Sequence, residues 1–149
     1  MKHNLILGDC LEEMKKMPSE SIDVVFTSPP YNDSGKTERD KEMKRHFKYE
    51  ECESRDDWFE WQCKCIDEML RVCKRQVLYN VQPLLSNKAD VYKLIGHYAD
   101  KIDQILIWYK PNAQPQHYPH RIANFYEMVL ILRGGASTNC ISIQMDTQT

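Results

Sequence analysis

Glycine is scarce in this sequence, five among 149 residues at positions 8, 35, 96, 134 and 135, and no two of them form a Gly-x-Gly pair. That excludes a Gly-rich turn in which bare backbone closes tightly on a ligand. Long apolar runs are also absent: none approaches the roughly 18 residues of a membrane-spanning helix. The opening residues Met1-Lys2-His3-Asn4-Leu5 lack a signal-peptide layout, so a cytoplasmic protein with no membrane partner is expected. Six cysteines are present without a Cys-x-x-Cys pair, which argues for free thiols and against zinc or another metal. A net charge of −2 excludes a protein that coats nucleic acid by electrostatics alone.

What remains is the composition of a single globular domain, 42% hydrophobic and 28% charged. Residues 3–7 read as a short buried strand. Asp9 and Glu12 have the spacing of a capping box opening a helix, which Pro18 and the Ser19-Glu20-Ser21 cluster end. Residues 22–27 form a second, β-branched strand. Residues 32–53 have few apolar side chains and no period, the mark of a functional or flexible loop. Its first part is basic, six Lys/Arg against three acids over residues 36–48, and the chain turns acidic over 50–60. A helix from Ser54 to about Lys74 follows, with Trp58, Trp61, Cys65, Met69 and Val72 at helical spacing as its core face. Strands are expected at 76–81, 102–109 and 126–132, with a helix over about 83–99 before the second of these. The alternation predicts an α/β fold with a mostly parallel sheet and helices on both faces. The last two strands have no helix between them and should pair antiparallel.

The stretch Thr27-Ser28-Pro29-Pro30-Tyr31-Asn32 ends the second strand. In open α/β sheets, sites gather at the carboxyl ends of strands. Two prolines fix φ and offer carbonyl acceptors without N–H donors. Ser28 adds a hydroxyl and Tyr31 a flat face. Together they suit a planar group bearing an NH2, such as the exocyclic amine of a nucleobase flipped out of its stack.

These residues resemble the [Ser/Asp/Asn]-Pro-Pro-[Tyr/Phe/Trp] motif of S-adenosylmethionine-dependent DNA amino-methyltransferases. Ile6-Leu7-Gly8-Asp9-Cys10-Leu11-Glu12 is similar to the segment preceding that motif in the permuted members. Ile107-Trp108-Tyr109-Lys110-Pro111-Asn112 and Arg121-Ile122-Ala123-Asn124-Phe125-Tyr126-Glu127 resemble a later region of the same family. The resemblance implies a partial Rossmann-like methyltransferase sheet. Residues 1–133 would be the catalytic domain, with a flexible loop at 32–53, and 134–149 a polar tail. It implies methyl transfer to the amine of cytosine or adenine in DNA, with Ser28, Pro29, Pro30 and Tyr31 catalytic. Ser28 and the Pro29 carbonyl would hold the amine and Tyr31 would stack on the base. Asp9, Cys10 and Leu11 would lie by the cofactor, and Asn32, Lys110, Asn112 and Arg121 would meet DNA, with His117 a further candidate.

The same resemblance carries an expected shortfall. The family's Gly-rich cofactor segment has no counterpart among these glycines. Weak or absent S-adenosylmethionine binding is therefore expected of this chain alone. The strand ending at Thr27 should also be left with an apolar edge, to be covered by a second chain or a homodimer. A non-catalytic DNA- or protein-binding relative is the alternative.

Overall fold

The computed structural model describes residues 3–30, 55–84, 87–111 and 125–135. Asp9 caps the first helix, α1 (Cys10–Lys15), its side chain accepting from the Glu12 amide at 3.0 Å. α1 buries Leu11 and ends well before Pro18. Glu20 turns the chain at a φ of 52° into the first strand, β1 (Ile22–Thr27). The predicted long loop lies outside the described residues, as does nearly all of the predicted polar tail.

The chain continues in α2 (Arg55–Val72) and runs directly into β2 (Cys73–Val81). The expected core face of α2 is largely realised: Trp58, Cys65, Met69 and Val72 are buried, with Ile66 beside them, while Trp61 is half-buried. Arg71 in its last turn donates to the carbonyls of Met14 at 2.8 Å and Met17 at 3.0 Å, and also pairs with Glu68. These bonds tie the end of α1 to the amino-terminal side of β2. α3 (Lys88–His97) follows. Tyr98 just beyond it donates to Asp67 at 2.9 Å, with the Cys63 carbonyl 3.0 Å away, fastening α3 to α2.

β3 (Ile102–Tyr109) and β4 (Tyr126–Arg133) complete a four-stranded sheet of order β1-β2-β4-β3. The last two strands pair antiparallel, as expected. A mostly parallel sheet is not what forms. β1 and β2 are parallel, but β4 enters between β2 and β3 and is antiparallel to both. Three of the four strands still run in one direction, as alternating strands and helices dictate. The chain order predicts those directions but not that a returning strand will separate β2 from β3. The expected strand at 3–7 does not form: Leu5 is 96% and Leu7 102% exposed, with no strand paired to them among the described residues. An apolar run has strand propensity, but strand structure needs a hydrogen-bonding neighbour.

One face of the sheet carries the core. Val77, Tyr79 and Val81 of β2 and Met128, Leu130 and Leu132 of β4 pack with Leu11, Ile66, Met69, Val91 and Leu94 from all three helices. Helices on both faces were expected; among the described residues they share this one. Edge strand β1 leaves Ile22, Val24 and Phe26 exposed, Phe26 by 69%.

Gly134 locks β4 beside β2. Its amide donates to the Arg75 carbonyl at 2.8 Å, and a Cβ there would meet the Cys73 carbonyl oxygen at 2.8 Å, a backbone atom that cannot swing aside. We predict that Gly134→Ala destabilises the fold by about 1–3 kcal/mol through overpacking, measured by urea denaturation. Gly96→Ala, where the added methyl meets nothing, should not.

Candidate active site

The sheet brings the carboxyl ends of β1, β2 and β3 to one side, together with the start of β4. β1 stops at Thr27 because the two prolines that follow cannot donate to a ladder. Ser28 and Pro30 are exposed there and Pro29 is buried. Among the described residues no hydrogen bond engages the Ser28 hydroxyl or the Pro29 carbonyl. The Pro30 carbonyl is different. It accepts from the indole Nε1–H of Trp58, in the first turn of α2, at 3.2 Å. Trp58 is only 2% exposed, yet it is not part of the main hydrophobic cluster. The predicted site residues Tyr31, Asn32, Asn112 and Arg121, and His117, lie outside the described residues.

Beside this turn sits a buried polar group centred on Asn80, which the motifs in the sequence did not single out, and on Glu127, the last residue of one of them. Thr27 pairs with Tyr79 in parallel register, so Asn80, the next residue of β2, is level with Ser28 one strand spacing away, about 4.8 Å. Asn80 is 5% exposed and donates through Nδ2 to Glu127 Oε2 at 2.6 Å, while its own Oδ1 has no partner among the described residues. Glu127, 6% exposed, also binds the ammonium of Lys110, which lies 5.4 Å from the Trp108 ring. Burial pushes the Glu127 carboxyl up, but the hydrogen bonds from Lys110 and Asn80 and the charge of Lys110 outweigh it. The group is held below the ordinary carboxylate range.

Three of the predicted positions, Ser28, Pro29 and Pro30, are thus gathered at one strand end. Lys110 shares that side of the sheet but sits three strand spacings from β1, about 14 Å, with its charge already balanced by Glu127. The proposed cofactor residues open α1. One Asp9 carboxylate oxygen is taken by the cap, Cys10 is exposed, and Leu11 is committed to the core. Asn80 and Glu127 carried a readable signal: each is a polar residue inside an apolar strand run, in Val77-Leu78-Tyr79-Asn80-Val81 and in Tyr126-Glu127-Met128-Val129. Trp58 carried none, because its spacing marks it as core.

With this geometry in place, comparison assigns the class. Residues 22–148 match the DNA methylase family, and the chain belongs to it. It is 29% identical to the type II methyltransferase M.HinfI of Haemophilus influenzae over 136 residues, covering 86% of this chain and 37% of that protein. The fold is also similar to that of the cytosine-N4-specific PvuII DNA methyltransferase, with a TM-score of 0.61 at 17% identity over 85% of this chain and 47% of that one. A Thermus thermophilus protein assigned as a DNA modification methylase, solved with S-adenosyl-L-methionine, gives a TM-score of 0.53 at 18% identity, over 91% of this chain and 55% of that one. The chain therefore spans about half, or less, of these relatives' lengths. Among the described residues no helix is long and apolar enough to cross a membrane.

The Glu127 carboxyl has a lower pKa in the folded chain than when unfolded. Its contribution to stability is therefore present above the unfolded value and is lost as pH falls through the folded one. Lys110→Met removes the cation and leaves a buried carboxylate held by Asn80 alone. Because Lys110 is 38% exposed, we expect a loss of about 1–2 kcal/mol at pH 7, below the cost of a fully buried pair. The gap from wild type should narrow by pH 4, as the carboxyl takes up a proton. Urea denaturation at both pH values tests this; an equal loss at each would be inconsistent with it.

Proposed function

We propose that this chain is the base-binding part of a DNA amino-methyltransferase, acting on the exocyclic amine of cytosine or adenine. The observation that carries the reading is the Ser28-Pro29-Pro30 turn, with Ser28 exposed and no hydrogen bond among the described residues to its hydroxyl or to the Pro29 carbonyl, at a strand end in a chain of the DNA methylase family. A hydroxyl and a carbonyl accepting the two amine hydrogens draw the nitrogen lone pair out of ring conjugation and fix its direction. Such positioning and electrostatics are the main levers for a direct transfer. Tyr31 is proposed to stack on the extruded base, and Asn32, Asn112 and Arg121 to meet the DNA. Lys110 contacts it only at the cost of its bond to Glu127.

S-adenosylmethionine, when bound, supplies a sulfonium methyl. The described residues fit one flank of its site: Asp9 has a carboxylate oxygen beyond the one used in the cap, and Cys10 is exposed next to it. Leu11 contributes only backbone, its side chain being in the core. Nothing here resembles a Gly-rich turn, so the other flank is proposed to come from further polypeptide, in the same chain or another, laid along the open edge of β1. A second copy of this chain is a further candidate for that edge. The exposed Leu5, Leu7, Val24 and Phe26 favour this, since an apolar edge left in water invites pairing. The same residues also support the second reading, a non-catalytic DNA- or protein-binding relative that uses that edge for a partner.

Two measurements separate the readings. Calorimetric titration of the chain with S-adenosylmethionine should give weak or no binding; micromolar affinity would instead place the whole cofactor site in these residues. Methyl transfer from tritiated S-adenosylmethionine to mixed-sequence DNA should appear once a complementing polypeptide is supplied. Ser28→Ala should lower it about 100-fold, as loss of one preorganised polar contact does. Absence of transfer in every combination leaves the binding relative.

A further inference from the structure

The Ser28-Pro29-Pro30 turn holds two proline carbonyls, and the structure distinguishes them. The Pro30 carbonyl accepts the Trp58 indole N–H at 3.2 Å, whereas no hydrogen bond among the described residues engages the Pro29 carbonyl. Trp58 is buried, and among the described residues its ring lies outside the cluster that joins the helices to the sheet. Indole offers one donor and no acceptor, and here the donor goes to the turn. Phenylalanine would fill much of the same volume without it.

We infer that Trp58 is a positioning residue for the base-binding turn. By occupying the Pro30 carbonyl it fixes the direction of that carbonyl and leaves Pro29 as the carbonyl that receives an amine. α2 thereby couples to the site. The helix that buries Ile66 and Met69 against the sheet also sets, from its first turn, which of two adjacent acceptors is available. The inference rests on the amine-binding reading above, but its direct consequence, a hydrogen-bonded Pro30 carbonyl, does not.

The test uses the whole chain. Pro30-Tyr31 is the sole Pro-Tyr pair and Pro29-Pro30 the sole Pro-Pro pair in the sequence, so carbonyl-13C proline with 15N tyrosine or 15N proline gives each carbonyl its own NMR signal. Trp58→Phe should move the Pro30 carbonyl upfield. Replacement of Trp58 by benzothienylalanine, which keeps the ring shape and lacks only the N–H, should do the same with folding unaffected. In the wild-type chain, deoxycytidine and deoxyadenosine should shift the Pro29 carbonyl and leave Pro30 nearly still, and thymidine, which has no exocyclic amine, should shift neither. Loss of the N–H should weaken nucleoside binding about fivefold, the effect of one neutral hydrogen bond. An unmoved Pro30 signal in both variants overturns the inference. So does unchanged nucleoside binding, a response centred on Pro30, or no wild-type response to either amine-bearing nucleoside. If these shifts hold while no methyl is ever transferred, the methyltransferase reading falls and the role of Trp58 stands.

Discussion

The position of β4 between β2 and β3 is the constraint on which the rest of the molecule depends. With two central strands buried on the helix-covered face, β4 supplies Met128, Leu130 and Leu132 to the same core as Val77, Tyr79 and Val81. Its amino-terminal residues consequently emerge where β2 ends, and Glu127 reaches Asn80 on one side and Lys110 on the other. Had β4 lain outside β3, Asn80 would have had no carboxylate neighbour in the adjacent strand. Gly134 at the far end holds the arrangement, since the strand passes Cys73 too closely to admit a side chain.

Two devices then give the strand-end region its rigidity, and they work by different physics. Around Glu127 it is electrostatic: a carboxylate taken out of water is tolerable only with a cation and a hydrogen-bond donor attached. Its anchoring of the Asn80 amide nitrogen leaves the amide oxygen as a buried acceptor beside the end of β1. Around the prolines it is geometric. Pro29 and Pro30 remove backbone freedom, and Trp58 takes up the second carbonyl. The first depends on a half-exposed lysine and the second on a buried indole.

Much of this was legible in the residues. Asp9 and Glu12 specified the start of α1, the period of Trp58 to Val72 specified α2 and most of its buried face, and the lack of a helical pattern in the sequence between residues 109 and 126 pointed to the last antiparallel pair. The turn at Ser28 could be recognised because prolines after β-branched residues have few other uses. Strand adjacency was not legible. Direction follows from local alternation, but the choice of neighbour is settled by which apolar faces fit together over long sequence separation, and β4 inserted itself where the alternation implied that β2 and β3 would meet. The Leu5-Ile6-Leu7 run failed as a strand for a related reason: propensity is local, whereas a ladder requires a second strand. Trp58 was read as core because an indole's apolar bulk is visible in a periodicity and its single N–H is not.

The unpaired edge of β1 links that failure to the chemistry. β1 carries the turn at its carboxyl end, yet among the described residues it is held by one neighbour only, with Ile22, Val24 and Phe26 exposed. A strand paired along one side is the element most free to twist or fray, and any twist at Thr27 moves Ser28 and Pro29 together. Trp58 restrains the turn from the helix side, beyond the last ladder bond, so the acceptors need not await a second strand to be ordered. A polypeptide added along the free edge would bury Phe26 and complete the other flank of the site in one step. On the reading proposed above, pairing at that edge would couple the burial of Phe26 to the order of the turn.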